Sequence, residues 1–145
     1  MKTQRIIFIG GFLGAGKTTL MFEAAKRLTA KGKRTGLITN DQAPELVDTS
    51  FLRTTGLTVT EVSGSCFCCN YPGLVKAIHM LLGEAKVEIM LAEPVGSCTD
   101  LVATIVRPLK DKKDADVSLA PLSVLVDPKR LQSILDGGEI GRAHV

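Results

Sequence analysis

Short apolar runs alternate along this chain with longer stretches in which apolar residues recur every three or four positions. The runs predict strands over Gln4–Gly10, Arg34–Asn40, Leu57–Val62, Val87–Ala92 and Leu122–Val126. Helical spacing predicts helices over Lys17–Ala30, Pro72–Leu82, from Thr99 or Asp100 to Arg107, and from Asp127 to Leu135. Strands that alternate with helices favour a parallel sheet joined by right-handed crossovers, so we predict an α/β fold.

The sequence also predicts where these elements end and which strands are buried. Pro108 is expected to end the third helix, and residues 110–116 read as a charged surface loop. Residues 41–55 are polar and hold Pro44, so we expect a mobile loop there, with a short helix near Glu45–Leu52. The fourth predicted strand is almost continuously apolar, as in a central parallel strand, and the fifth is expected to be buried as well.

Composition limits the class of protein. The 145 residues are 45% hydrophobic and 23% charged, which fits one soluble globular domain. The net charge of +3 and the 4% aromatic content argue against a nucleic-acid partner. No stretch is long enough to span a membrane, and the apolar run Ile6–Ile9 is too short for a signal peptide. We therefore expect a cytoplasmic protein without a membrane partner, whose four cysteines are thiols or metal ligands and not disulfides.

Residues 139–145 lack periodicity and resemble a translated sequencing-adapter read-through. We expect them to be a non-native tail. Residues 1–138 would then form one domain that is incomplete at its C-terminal end.

A glycine-rich turn follows the first predicted strand at once. It matches the pattern G-x-x-x-x-G-K-[ST] between a strand and a helix, the context that gives this pattern its meaning. Glycines let backbone N–H groups point at phosphate oxygens, and the helix N-terminus adds its positive dipole end. Lys17 is expected to reach the β- and γ-phosphates and Thr18 to bind Mg²⁺. The predicted nucleotide-binding residues here are Gly11, Gly14, Ala15, Gly16, Lys17, Thr18 and Thr19.

Three cysteines within four residues, Cys66, Cys68 and Cys69, form the second chemical feature. They follow a predicted strand, at the edge of the sheet where ligands gather in open α/β folds. Thiolates favour Zn²⁺ or Cu(I) over hard cations, so a metal or regulatory thiol site is the main hypothesis. Buried structural cysteines and a redox pair are the alternatives. Cys98 lies thirty residues on, and we interpret it as structural.

The third feature is Glu93-Pro94-Val95-Gly96, at the end of the fourth predicted strand. P-loop enzymes need an acidic residue at this place to organise the water shell of magnesium. They also use a glycine whose N–H senses the γ-phosphate. Aspartate is the usual acidic residue, and here glutamate takes its place.

Together these three features resemble the CobW family of P-loop GTPases, from about Arg5 to Leu131. The resemblance implies a three-layer P-loop NTPase fold with a mostly parallel central sheet, and a GTP-hydrolysing chaperone for a metal such as zinc or cobalt, as in cobalamin synthesis. It implies GTP and Mg²⁺ as cofactors, a client metalloprotein as partner, and Zn²⁺ or Co²⁺ as cargo. Lys17 and Glu93 would be catalytic, with Glu93 holding Mg²⁺ through water, and Cys66, Cys68 and Cys69 would bind the cargo. Asn40-Asp41 matches the start of the first switch, which makes Asp41 a further candidate metal ligand.

The chain also departs from the family pattern. Ser65 separates Gly64 from Cys66, Pro44 intervenes before Glu45, and no Asn/Thr-Lys-x-Asp guanine-reading motif is present. His79 lies in a helical pattern and is expected on the surface, not as a ligand. Two other classes stay open: an ATP-using P-loop kinase, and a non-catalytic zinc- or thiol-sensing module. The cargo metal, the client and the oligomeric state do not follow from the sequence.

Overall fold

A parallel sheet with helices on both faces makes up the part of the chain that the structure, a computed structural model, describes: residues 4–40, 57–98 and 100–137. Its strands are β1 (Arg5–Gly11), β2 (Thr35–Asn40), β3 (Thr58–Val62), β4 (Ile89–Ala92), β5 (Ser118–Leu119) and β6 (Ser123–Leu125). Its helices are α1 (Lys17–Ala30), α2 (Tyr71–Gly83), α3 (Arg107–Lys112) and α4 (Pro128–Leu135), with a π-helical segment, Val102–Val106, directly before α3. This is the predicted three-layer α/β architecture.

The strand order is β3-β2-β4-β1-β5, and β6 pairs with β1 beyond the end of β5. All of these pairings are parallel; Ile6 lies beside Met90, and Leu37 beside Leu91. β2 and β4 therefore lie inside the sheet, which explains the continuous apolar sequence of β4. Parallel strands share one carboxyl edge, so the segments that follow β1, β2, β3 and β4 meet there.

The core has two layers, because successive side chains of a strand point to opposite faces of the sheet. Ile6 and Phe8 of β1 pack in the layer that includes α2, whereas Ile9 packs with Met21 and Ala25 of α1. α1 has the predicted bounds. α2 begins at Tyr71, where the Asn70 side chain accepts a hydrogen bond from the Gly73 N–H at 3.1 Å.

The prediction that Pro108 ends a helix was wrong. Asp100 caps the helical stretch as expected, since its carboxylate accepts from the Ala103 N–H at 3.1 Å. The chain then continues through the π-helical segment into α3, with Pro108 in the first turn of α3. A proline is tolerated there because the first-turn N–H groups need no partner within the helix. The predicted surface loop was therefore wrong in part: Lys110–Lys112 is helical, and Ala115 is buried.

The last predicted strand is present but is not buried. β6 pairs only with the end of β1 among the described residues, and Val124 is 58% exposed. The short strand β5 was not predicted, because two residues give no readable period. None of the helices in residues 4–40, 57–98 and 100–137 has both the length and the apolar character that a membrane span needs. The predictions for residues 41–55 and 139–145 lie outside the described residues.

Candidate functional site

The glycine-rich turn between β1 and α1 has the backbone of a phosphate cradle. Gly11, Gly14 and Gly16 have φ values of 139°, 79° and 89°, in the range that side chains disfavour. Gly14 and Gly16 have open space where a Cβ would be. The cradle therefore needs glycine for its backbone conformation, and its successive N–H groups are free of shielding side chains.

Lys17 crosses this cradle. Its Nζ donates hydrogen bonds to the carbonyl oxygens of Gly11, at 2.8 Å, and Phe12, at 3.0 Å. The residue is only 6% exposed. Burial lowers the pKa of Lys17, and the nearby Glu93 carboxylate opposes that shift. A cation is thus held at the place where the sequence puts the phosphates.

Thr18 and Glu93 meet beside Lys17. The Thr18 hydroxyl lies 2.9 Å from both carboxylate oxygens of Glu93. Glu93 directly follows β4. Its backbone N–H donates to the Ile38 carbonyl at 3.0 Å, which ties the start of the segment after β4 to the neighbouring strand β2. Hydroxyl and carboxylate oxygens are ligands of Mg²⁺ in proteins, either directly or through water. The residues present therefore fit the predicted magnesium site.

A cavity of about 160 Å³ opens between these groups. Its lining includes Lys17, Thr18, Asn40, Glu93 and Gly96. A Cβ at Gly96 would lie 2.9 Å from the Leu13 backbone nitrogen and 3.1 Å from Lys17 Nζ. Glycine at this position therefore permits the close approach of the segment after β4 to the cradle.

The other predicted nucleotide-binding residues belong to the same turn. The Ala15 N–H donates to the Phe12 carbonyl at 3.2 Å, and Thr19 is exposed in the first turn of α1. Asp41 lies outside the described residues. His79 is exposed on α2, with Nε2 2.7 Å from the Asp114 carbonyl oxygen and away from the cradle.

The three clustered cysteines form a compact turn after β3. The Cys66 carbonyl accepts from the N–H groups of Cys69, at 3.1 Å, and Asn70, at 2.9 Å. Phe67 is fully buried and anchors the turn in the core. The Sγ atoms of Cys66, Cys68 and Cys69 all lie within 4.8 Å of one another, so a single metal ion can reach all three.

Cys98 joins this cluster, although sequence reasoning treated it as structural. Its Sγ lies 3.5 Å from Cys68 Sγ, whereas the Cys66–Cys68 and Cys68–Cys69 Sγ separations are 2.8 and 3.9 Å. A signal for this contact was present in the sequence. Cys98 follows β4 and the other cysteines follow β3, so both segments leave the same edge of the sheet.

The thiols differ in how readily they ionise. Burial raises the pKa of Cys66, but hydrogen bonds from the neighbouring thiols and the Cys69 backbone outweigh burial and lower it to about 7. A hydrogen bond to Cys66 is the main cause that raises the pKa of Cys68 to about 11, and a separate one to Cys66 is the main cause that raises the pKa of Cys69 to about 11. Burial is the main cause that raises the pKa of Cys98. The neighbouring thiols therefore stabilise one thiolate within the cluster.

Asn40, at the end of β2, touches both parts of the site. This residue lines the cavity together with Lys17 and Glu93. Its amide nitrogen donates to the carbonyl of Val62, at 3.1 Å, and to that of Ser65, at 2.8 Å. Ser65 directly precedes Cys66, so one residue connects the lining of the cavity with the start of the cysteine turn.

Comparisons with known proteins agree with this geometry. Residues 5–143 match the family CobW/HypB/UreG, nucleotide-binding domain. The zinc chaperone YeiR of Escherichia coli (strain K12) is 31% identical over 93 residues, which is 63% of this chain and 28% of YeiR.

Solved structures share the fold. The signal recognition particle receptor FtsY from Elizabethkingia anophelis has a TM-score of 0.65 at 16% identity, over 94% of this chain and 46% of that one. The cell division protein FtsY from Thermotoga maritima has a TM-score of 0.60 at 19% identity, over 92% of this chain and 47% of that one. This chain thus spans under a third of YeiR and under half of either FtsY chain. With the family match over nearly all of its length, the chain belongs to the CobW/HypB/UreG nucleotide-binding domain family.

Proposed function

We propose that this chain is the nucleotide-binding part of a metal chaperone that binds and hydrolyses GTP. Its nucleotide state would control the transfer of zinc or cobalt to a client metalloprotein. The observation that carries this proposal is the position of Asn40. Asn40 lines the proposed nucleotide cavity, and its side-chain amide donates to the Ser65 carbonyl directly before the cysteine turn. A change at the phosphates therefore has a short physical route to the metal ligands.

On the nucleotide side, Lys17 would bind the β- and γ-phosphates. Its ammonium now donates to two loop carbonyls, and phosphate oxygens would replace them as acceptors. Thr18 and Glu93 would hold Mg²⁺, the glutamate through water, and the ion would neutralise charge that develops on the phosphates. Gly96 would offer its N–H to the γ-phosphate.

On the metal side, Cys66, Cys68 and Cys69 would bind the cargo as thiolates. Thiolate ligands suit zinc, and they also accept cobalt. Cys66 and Cys68 are half-buried, whereas Cys69 is exposed. The cargo would therefore be reached by a client from the side of Cys69.

The family and the YeiR relative support a GTP-dependent metal chaperone, and YeiR favours zinc as the cargo over cobalt. An ATP-using kinase would leave the cysteine cluster without a role. A passive zinc or thiol sensor would not explain why Lys17, Thr18 and Glu93 lie together. We further propose a cytoplasmic protein without nucleic-acid or membrane partners; the small net charge of +3 supports the part of this proposal that concerns polyanionic partners.

The test compares the zinc affinity of the protein with a GTP analogue, with GDP and without nucleotide. Typical couplings are about 1–3 kcal/mol, so we expect zinc affinity to change by about 5- to 150-fold between states. Zinc must change the affinity for the GTP analogue by the same factor, because linkage is reciprocal. The double variant Cys66→Ser/Cys68→Ser is the control for the metal site.

Equal zinc affinities in the three states would contradict the proposed cycle. Competition of GTP against ATP, with and without zinc, separates the two alternatives. An ATP preference that zinc does not change would favour a kinase. Zinc binding without nucleotide binding would favour a sensor.

A further inference from the structure

The cysteine cluster contains four sulfur atoms from two different segments. Cys66, Cys68 and Cys69 come from the turn after β3, and Cys98 comes from the segment after β4. Four thiolates around one zinc ion, each at about 2.3 Å, lie about 3.8 Å from one another in a tetrahedron. The Sγ separations of 3.9 Å for Cys68–Cys69 and 3.5 Å for Cys68–Cys98 are close to that value, whereas the 2.8 Å between Cys66 and Cys68 is shorter and has to lengthen when an ion binds.

We propose that Cys98 supplies the fourth thiolate of the metal site and ties the bound ion to the segment that senses the nucleotide. Three thiolates leave one position of a tetrahedral ion open, and Cys98 is the side chain beside Cys68 that can fill it. The inference deepens the proposed function and rests on it.

The segment that carries Cys98 is short and tightly turned. The Cys98 N–H donates to the Val95 carbonyl at 3.0 Å, so the two residues between them, Gly96 and Ser97, form a closed turn. Gly96 is also the residue that approaches Leu13 and Lys17 in the cradle. A movement of Gly96 toward or away from a phosphate must therefore move Cys98 relative to the other three thiolates.

This arrangement gives two coordination states. With Cys98 bound, four thiolates enclose the ion, as in closed structural zinc sites. With Cys98 withdrawn, three thiolates remain, and the open position can accept a ligand from a client. Movement of the turn thus converts a retained ion into a transferable one, and each thiol that binds the ion gives its proton to water.

The first experiment uses Co²⁺ as a spectroscopic replacement for zinc. The Cys98→Ser variant is compared with wild type and with Ser97→Ala, which changes an exposed neighbour in the same turn. We expect the thiolate-to-cobalt absorption to fall by about a quarter in Cys98→Ser, because one of four thiolates is lost. Ser97→Ala should match wild type. A Cys98→Ser spectrum identical to that of wild type would overturn the inference and leave the proposed function intact.

A second measurement needs no variant. Wild-type protein is alkylated with iodoacetamide, with and without Zn²⁺, and the rate at each cysteine is read by mass spectrometry. We expect zinc to protect Cys98 along with Cys66, Cys68 and Cys69. If zinc protected those three and left Cys98 at its metal-free rate, Cys98 would not be a ligand. If zinc protected none of the four, the proposed function would fail as well.

The third measurement tests the link to the nucleotide. The ratio of zinc affinities with GTP analogue and with GDP is measured in Cys98→Ser and in Ser97→Ala. We expect this ratio to fall toward 1 in Cys98→Ser and to keep its wild-type value in Ser97→Ala. A full wild-type ratio in Cys98→Ser would overturn the role of Cys98 in coupling.

Discussion

The Thr18 hydroxyl lies 2.9 Å from both carboxylate oxygens of Glu93, although 75 positions separate the two residues in the chain. One belongs to the first turn of α1 and the other directly follows β4. The contact exists because β1 and β4 are parallel neighbours, so the segments that follow them meet at one edge. It brings the acidic group to the first turn of α1, beside the glycine-rich turn.

Replacing Glu93 with glutamine keeps the size of the side chain and removes its charge. We expect Glu93→Gln to weaken Mg²⁺-dependent binding of a GTP analogue by about 10- to 100-fold, the usual effect of losing an outer partner of a metal. The measurement is a titration with a fluorescent analogue at several Mg²⁺ concentrations. Glu88→Gln is the matched control, since Glu88 pairs with Lys33 and Arg34 at the other end of β4. An unchanged Mg²⁺ dependence in Glu93→Gln would contradict the assignment.

Lys17→Ala removes the cation from the cradle. A hydrogen bond to a charged group contributes about 1.5–3 kcal/mol, so we expect GTP-analogue affinity to fall by about 10- to 100-fold or more, without loss of the fold. Circular dichroism checks the fold, and the same fluorescent titration gives the affinity. Lys31→Ala, an exposed lysine directly after α1, should bind like wild type. Equal affinities for Lys17→Ala and wild type would exclude a phosphate-binding role for this turn.

Gly96→Ala adds a methyl group where a Cβ would lie 2.9 Å from the Leu13 nitrogen. Relief of that contact has to move the backbone of one of the two segments. We expect a loss of unfolding free energy of about 1–3 kcal/mol and weaker nucleotide binding. Gly83→Ala, at the end of α2, has open space for its methyl group and should be neutral or slightly stabilising. Urea unfolding of the two variants measures the difference in their unfolding free energies. Equal values would show that the segment after β4 can move to admit the methyl group without cost.

Tyr71 is the one tyrosine in a chain without tryptophan, so its ionisation can be followed by ultraviolet absorbance. Burial, together with the hydrogen bond to Asp114 Oδ2 at 3.0 Å, raises the pKa of Tyr71 to about 12, from 10.0. A pKa that folding raises contributes stability below pH 10, and that contribution is lost as the pH rises from 10 toward 12.

We therefore expect the absorbance of tyrosinate to appear well above pH 10 in the folded protein and near pH 10 in urea. Asp114→Asn should lower the pKa of Tyr71 only in part, because burial is the larger cause. A midpoint near 10 in the folded protein would show that Tyr71 is not held by Asp114.

The positions of the glycine turn, Lys17 and Thr18 could be predicted from the sequence because their signal is local. The glycine pattern, Lys17 and Thr18 lie within eight positions, and α1 begins and ends where predicted. Glu93 followed from a second local rule, an acidic residue at the end of an apolar strand.

The remaining features depend on contacts between distant segments. Cys98 was interpreted as structural because its spacing of thirty residues from Cys68 is not a ligand motif; the contact follows only once the strand order places the ends of β3 and β4 at one edge of the sheet. The exposure of Val124 likewise depends on the position of β6 at the end of β1, which its apolar sequence does not encode. Pro108 failed as a stop signal because a π-helical turn precedes it.

The parallel pairing of β1 with β4 also bears on how the molecule is made. Ile6 pairs with Met90, and at a synthesis rate of about 5–20 residues per second the second strand follows the first by about 4–17 s. During that interval the apolar residues of β1 have no β4 beside them, and closing so long a loop is slow. The cavity between Lys17, Thr18 and Glu93 is therefore completed late in the synthesis of each chain, and a nucleotide bound there would stabilise a finished sheet and would not seed one.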